Sequence, residues 1–77
     1  MKQQSEEEIL ARLAARVTLW RKKRGFTQQI LAEKAGLPRG YIGDIEGARR
    51  NPSLRTLLRV ANALGVPIAE LFSDRAN

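Results

Sequence analysis

The chain contains no cysteine and no histidine. Without cysteine there is no disulfide framework and no thiolate metal site. With both residues missing, structural zinc, a Ser-His-Asp triad and a cysteine nucleophile are excluded. Aromatic residues are scarce, at 5% of the chain. No apolar run approaches the ~20 residues that cross a bilayer. The opening segment, Met1 to Glu8, is polar and acidic, unlike a signal peptide. No stretch alternates in the manner of a strand, and there is no internal repeat. Acids are also in the minority, with 8 against 14 basic residues.

What is present fits one small domain. At 77 residues, a chain buries only about 60% of its unfolded surface, so the expected core is small. Apolar residues at 43% and charged residues at 29% match an ordinary globular domain rather than a disordered tail. The expectation is a single domain over 1–77, its core at about residues 9–72, working in the cytoplasm. No membrane, metal, cofactor or small-molecule substrate is expected.

The charges are grouped. Glu6, Glu7 and Glu8 stand together at the start, whereas the span from Ile9 to Arg59 carries twelve basic residues and three acids. The basic residues cluster as Arg21-Lys22-Lys23-Arg24, Arg49-Arg50, and Arg55 with Arg59. Such clustering suits a polyanion partner; the bland alternative is a solvated basic surface.

The pattern predicts five short helices. Ser5 and Glu8 form a capping box for the first, with the acids at its positive end. Ile9, Leu13, Val17 and Trp20 recur at helical spacing, joined by Leu10 and Ala14, and Gly25 stops the helix. Thr27 caps a second helix over 28–35, with Ile30, Leu31 and Ala35 inward. A third is expected from Pro38 to Glu46, because proline suits a first helical position. Ser53 caps a fourth, with Leu54, Leu57, Leu58, Ala61 and Leu64 inward and Gly65 at its end. A fifth runs from Pro67 to Phe72, and Ser73 to Asn77 form a loose tail.

The segment from Gln28 to Gly47 is the informative one. Two helices joined by a short glycine-containing turn make a helix-turn-helix. Ala32 supplies the small residue at the crossing, and Gly36 the residue that tolerates positive φ. Ile42 and Ile45 supply the inner face of the second helix, and Leu31 and Leu37 close the wedge.

Gly25-Phe26-Thr27-Gln28, Leu31-Ala32, Ala35-Gly36-Leu37, Tyr41-Ile42, Ile45-Glu46, Asn51-Pro52-Ser53-Leu54 and Leu64-Gly65-Val66 together resemble the Cro/repressor-type helix-turn-helix domains, the xenobiotic-response-element family. The likeness covers about residues 13–72. It implies an all-α, five-helix bundle of the lambda-repressor-like kind that binds double-stranded operator DNA as a homodimer. In its small size the chain also resembles the controller proteins of restriction–modification systems.

That resemblance assigns roles. With Ile42 and Ile45 inward, Arg39, Gly40, Gly43 and Asp44 form the outer face of the recognition helix, with Tyr41 on its flank. Glycines cost ~1 kcal/mol each in a helix interior. Their use here suits a close approach to the major groove; the alternative is that they are merely tolerated near the helix start. Arg39 is the expected base reader, through guanine O6 and N7; its alternative is a phosphate contact. Asp44 either accepts from cytosine N4 or orients Arg39 or another basic neighbour. Tyr41 touches backbone or thymine, or only packs. Gln28 and Thr27 are expected at a phosphate near the start of the second helix. Arg49 and Arg50 are expected at phosphates or the adjacent minor groove. Lys22, Lys23 and Arg24 are expected mainly on a solvated face. The resemblance implies a structural ion pair between Arg21 and Glu46. The dimer surface is expected at Val66, Ile68, Leu71 and Phe72, each with a core role as the alternative.

Two departures from the family pattern stand out. Gly47 comes one residue before the usual glycine and is followed by Ala48. Gly40 sits where relatives often carry a polar base-contacting side chain.

The functional expectation is a sequence-specific transcriptional regulator on a two-fold operator, at the nucleoid. Other readings are an antitoxin, a phage-type repressor, or a protein-interaction adaptor on the same bundle. An adaptor predicts little salt dependence, whereas phosphate contacts predict a steep one. An enzyme is disfavoured, since no paired carboxylates stand at a plausible spacing.

Overall fold

The structure is a computed structural model that describes residues 3–74. Its elements are α1 (Glu6–Lys23), α2 (Gln28–Ala35), α3 (Tyr41–Glu46), α4 (Leu54–Leu64) and a 3-10 turn (Ile68–Leu71). Among the described residues there are thus four α-helices rather than five. The stretch after Pro67 is too short to settle into α geometry. Of the expected tail, Ser73 and Asp74 are described, and residues 75–77 lie outside the described residues.

The caps are where the sequence puts them. Ser5 and Glu8 close a reciprocal capping box at α1. The Thr27 hydroxyl accepts from the Ile30 N–H, and the Ser53 hydroxyl from the Thr56 N–H. Each satisfies a donor that a helix start otherwise leaves open.

All four helices end in the same way. A residue of left-handed φ follows the helix, and the next N–H reaches back five residues: Phe26 to Arg21, Leu37 to Ala32, Arg49 to Asp44 and Val66 to Ala61. This is the Schellman arrangement. Gly25, Gly36 and Gly65 occupy the left-handed position in three of them; Ala48, at φ 56°, occupies it in α3. The family's left-handed turn is therefore kept, although its glycine has been replaced. Left-handed backbone costs an L-residue roughly 1–2 kcal/mol, partly offset by the entropy that glycine loses on folding. Ala48→Gly is accordingly expected to raise stability by about 0.5–1 kcal/mol, read as a melting shift of roughly 2–8 °C. An unchanged or lower melting temperature contradicts this.

The connection between α2 and α3 is longer than the sequence suggests. Helix α3 starts at Tyr41, not Pro38. The Pro38 carbonyl accepts from the Tyr41 N–H at 3.2 Å, and Gly40 has φ 87° and ψ −13°. These are the values of the third residue of a type II turn, which selects glycine. Gly40 is thus required by a turn that precedes the helix. Arg39 lies in the same turn, ahead of the first helical residue.

Leu13, Val17, Leu31, Ile42, Ile45, Val60, Leu64 and Leu71 are the largest fully buried side chains. Each contributes about 1.5–3 kcal/mol by leaving water. Helix α1 packs on α3 and the 3-10 turn, α2 on α3 and α4, and α4 on the 3-10 turn. On α4 the inner stripe is Leu57, Val60, Ala61 and Leu64. Leu54 and Leu58, expected inside, are 73% and 49% exposed. Leu58 lies about 100° around the helix from Leu57, and Leu54 sits in the first position. Ile30 is likewise exposed, one step off the stripe of Leu31 and Ala35.

Two basic residues join elements. Arg16, on the inner face of α1, bonds the Glu70 carbonyl and pairs with its carboxylate at 3.1 Å. Arg24, at the end of α1, donates to the Leu64 carbonyl at 2.7 Å and lies over the Trp20 ring, as does Lys23. Lys23 and Arg24 remain exposed, as expected, while resting on an aromatic ring.

Candidate nucleic-acid interface

Arg21 and Glu46 set the angle of α3. The Arg21 guanidinium makes a two-pronged contact with the Glu46 carboxylate, at 2.6 and 3.1 Å. It also donates to the Phe26 carbonyl at 2.9 Å. One side chain thus links the end of α1, the approach to α2 and the end of α3. Gln28, the first residue of α2, donates to the same carboxylate at 3.0 Å. Burial alone would raise the pKa of Glu46. The hydrogen bonds from Arg21 and Gln28 outweigh it, so the carboxyl ionises below the ordinary glutamate range.

The glycine at 43 has a neighbour in the protein itself. The Gln28 carboxamide oxygen lies 3.3 Å from where a Cβ at Gly43 would stand. Its place in the sequence therefore serves the α2–α3 contact as well as the outer face.

Gln28, Gln29, Arg39, Gly40, Ile42 and Gly43 line a recess of about 230 Å³ between α2 and the head of α3. Arg39 is exposed and, among the described residues, has no ion-pair or hydrogen-bond partner. Gln29 was not singled out by sequence reasoning. It stands beside Gln28 at the first turn of α2 and donates to Glu33 at 3.4 Å; the i,i+4 spacing of the two on one helix was the available signal.

Asp44 does not meet Arg39. Its carboxylate pairs with Arg50 at 3.2 Å and with Arg49 at 3.5 Å. Arg49 also donates to the Gly43 carbonyl at 3.1 Å, at the negative end of the α3 dipole. Its guanidinium occupies the space that a side chain at Gly47 would need. Gly47 itself has φ −90°, so its backbone does not call for glycine, and the exposed tip of Arg49 could swing aside for a side chain there. Arg50 stacks on Tyr41, 4.2 Å from the ring centroid. Tyr41, Asp44, Arg49 and Arg50 thus form one cluster that runs from the first residue of α3 to the loop beyond it.

The expected dimer surface is divided by the fold. Leu71 is completely covered within the protomer and Val66 is 9% exposed. Both belong to the core, and Leu71 is unavailable to a second copy. Ile68 and Phe72 pack against the core but keep part of their surface. No helix among the described residues is long and apolar enough to cross a membrane.

Comparison with known proteins agrees with this architecture. Residues 19–71 match the helix-turn-helix family model. The immunity repressor protein of Bacillus phage phi105 is 49% identical over 59 residues, covering 77% of this chain and 41% of that protein. The chain thus spans about two fifths of that relative. Control protein C.SmaI of Serratia marcescens is 39% identical over 61 residues, covering 79% of this chain and 73% of that protein. Among solved structures, the restriction-modification controller protein C.AhdI from Aeromonas hydrophila superposes with a TM-score of 0.79 at 38% identity. That match covers 82% of this chain and 96% of the other. By its sequence match and its all-helical architecture, the chain belongs to the helix-turn-helix family.

Proposed function

We propose that this chain is a sequence-specific, DNA-binding transcriptional regulator that acts as a homodimer on a two-fold operator. The observation that carries the reading is Arg39. It is an exposed arginine, unpartnered among the described residues, at the head of a helix whose angle is fixed from behind by Arg21 and Glu46. An arginine so held is suited to guanine O6 and N7 in the major groove. Thr27 and Gln28, at the start of α2, face the phosphate backbone, Gln28 through the amide hydrogen that Glu46 does not take. Tyr41, Arg49 and Arg50 serve the backbone on the other flank. Gly40 and Gly43 keep the approach open for base edges. A formal charge of +6 favours encounter with any duplex.

The relatives named above are an immunity repressor and control proteins, which supports regulation of transcription over catalysis. The working unit is one DNA-binding domain in the cytoplasm, at the nucleoid, with Ile68 and Phe72 at the dimer contact.

Selection of bound fragments from a random duplex library tests this reading, and the expected product is a symmetric pair of half-sites. Arg39→Ala is expected to cost about 1–3 kcal/mol at one base position and to relax preference there. An equal loss on every sequence makes Arg39 a phosphate contact instead. Retention of no duplex even at low ionic strength removes the proposal altogether.

A further inference from the structure

We infer that Asp44 is an internal counter-anion that holds Arg49 and Arg50 in the free protein and competes with DNA phosphate for them. The inference rests on the DNA-binding reading above but assigns Asp44 a role other than base contact.

The geometry is that of an occupied anion site. Two guanidinium groups meet one carboxylate, Arg50 at 3.2 Å and Arg49 at 3.5 Å. Each guanidinium has a second hold. Arg49 bonds the Gly43 carbonyl, and Arg50 lies on the Tyr41 ring. The arginines are therefore arranged around an anion before any nucleic acid arrives. A phosphodiester oxygen suits the same fork geometry as a carboxylate. All three side chains remain accessible, at 37% exposure for Asp44, 65% for Arg49 and 46% for Arg50. Among the described residues, nothing shields the exchange.

The consequence is a lowered contribution from two cations. A phosphate that takes Arg49 or Arg50 must displace Asp44 and leave a carboxylate beside the DNA backbone. The two terms oppose each other. Binding is weaker and less salt-dependent than the number of arginines near α3 implies.

The test measures binding to a selected duplex and to a random duplex over a salt series. Asp44→Asn keeps the side-chain shape and removes the charge. It is expected to tighten binding to both duplexes about fivefold, the scale of an exposed ion pair. The plot of log affinity against log salt should steepen by about one, with base preference unchanged. Asp44→Glu is expected to keep the wild-type slope. In an Arg49→Gln/Arg50→Gln background, Asp44→Asn should change affinity less than twofold. Thermal melts of each variant separate these effects from loss of fold.

Three results overturn the inference. Loss of preference at a single base pair makes Asp44 a base reader. The same fivefold gain with and without the two arginines makes it a source of plain repulsion. No change in either background leaves it without influence on binding. If the wild-type chain itself fails to bind duplex DNA at low salt, the DNA reading fails first, and that outcome is distinct from the other three.

Discussion

Alanine at Arg21 or at Glu46 is expected to remove about 3–5 kcal/mol of folding stability, the cost of leaving one member of a buried pair unpartnered. The two side chains are only 13% and 8% exposed. A chain of this length has roughly 4–12 kcal/mol in all, at 0.05–0.15 kcal/mol per residue. Either variant should therefore be substantially unfolded under mild denaturant. The double variant should lose less than the sum of the two, because no charge is then left buried alone. Denaturant melts of the four proteins measure this directly. Full additivity would show that the contact is not an interacting pair.

Acid should act on the same pair. The Glu46 carboxyl is held below its ordinary pKa in the folded state, and Arg21 is raised by its bond to Glu46 and stays charged throughout. A group whose folded pKa is depressed adds stability above its unfolded value, about 4.3 for glutamate. That contribution disappears as the pH falls below this value toward the folded one. Wild-type stability should decline on acidification below about pH 4.3, and Glu46→Gln should show a flatter acid limb. An identical limb in both proteins would place the acid sensitivity elsewhere.

The elements that the sequence made legible are those governed by local rules. Ser5, Thr27 and Ser53 cap helices because their hydroxyls sit next to open N–H groups, and that depends on neighbours in sequence alone. Ile42 and Ile45 face inward because their spacing leaves no other inner face to α3. Errors arose where tertiary geometry decides. Pro38 is compatible with a first helical position, but Gly40 two residues later takes a type II turn and delays the helix to Tyr41. Leu54 and Leu58 read as inner residues because leucine recurs there, yet the bundle covers only the stripe of Leu57, Val60, Ala61 and Leu64.

The site divides along the same line. The Arg21–Glu46 pair came from family resemblance, since 25 residues separate the partners and spacing cannot join them. Arg16 left a weak signal: a charge three residues after Leu13, on the inner face of α1, calls for a partner. Nothing nearby in sequence points to Glu70, 54 residues on. Asp44 and Arg49–Arg50 lie within six residues of each other. Their meeting depends on the left-handed step at Ala48, which turns the chain back over the end of α3.

Leu71 and Ile68 separate the core from the contact between copies. Leu71 is wholly enclosed, between α1, α4 and the rest of the core. Leu71→Ala is expected to cost about 2–5 kcal/mol, from lost transfer energy plus the cavity left behind. A charge there should prevent folding at ordinary temperature, since an isolated buried carboxylate has no partner. It would not yield a folded monomer. Ile68 is only half-buried against the core, so Ile68→Glu should keep the helical content and cost the protomer only about 1 kcal/mol. If Ile68 lies at the dimer contact, sedimentation of that variant should give half the wild-type mass, and the affinity for a two-fold operator should fall with it. A folded Leu71→Glu monomer would return Leu71 to the contact surface and contradict its enclosure. An undiminished mass for Ile68→Glu would move the contact to another face, and the exposed Leu54 and Leu58 of α4 are the next apolar residues to substitute.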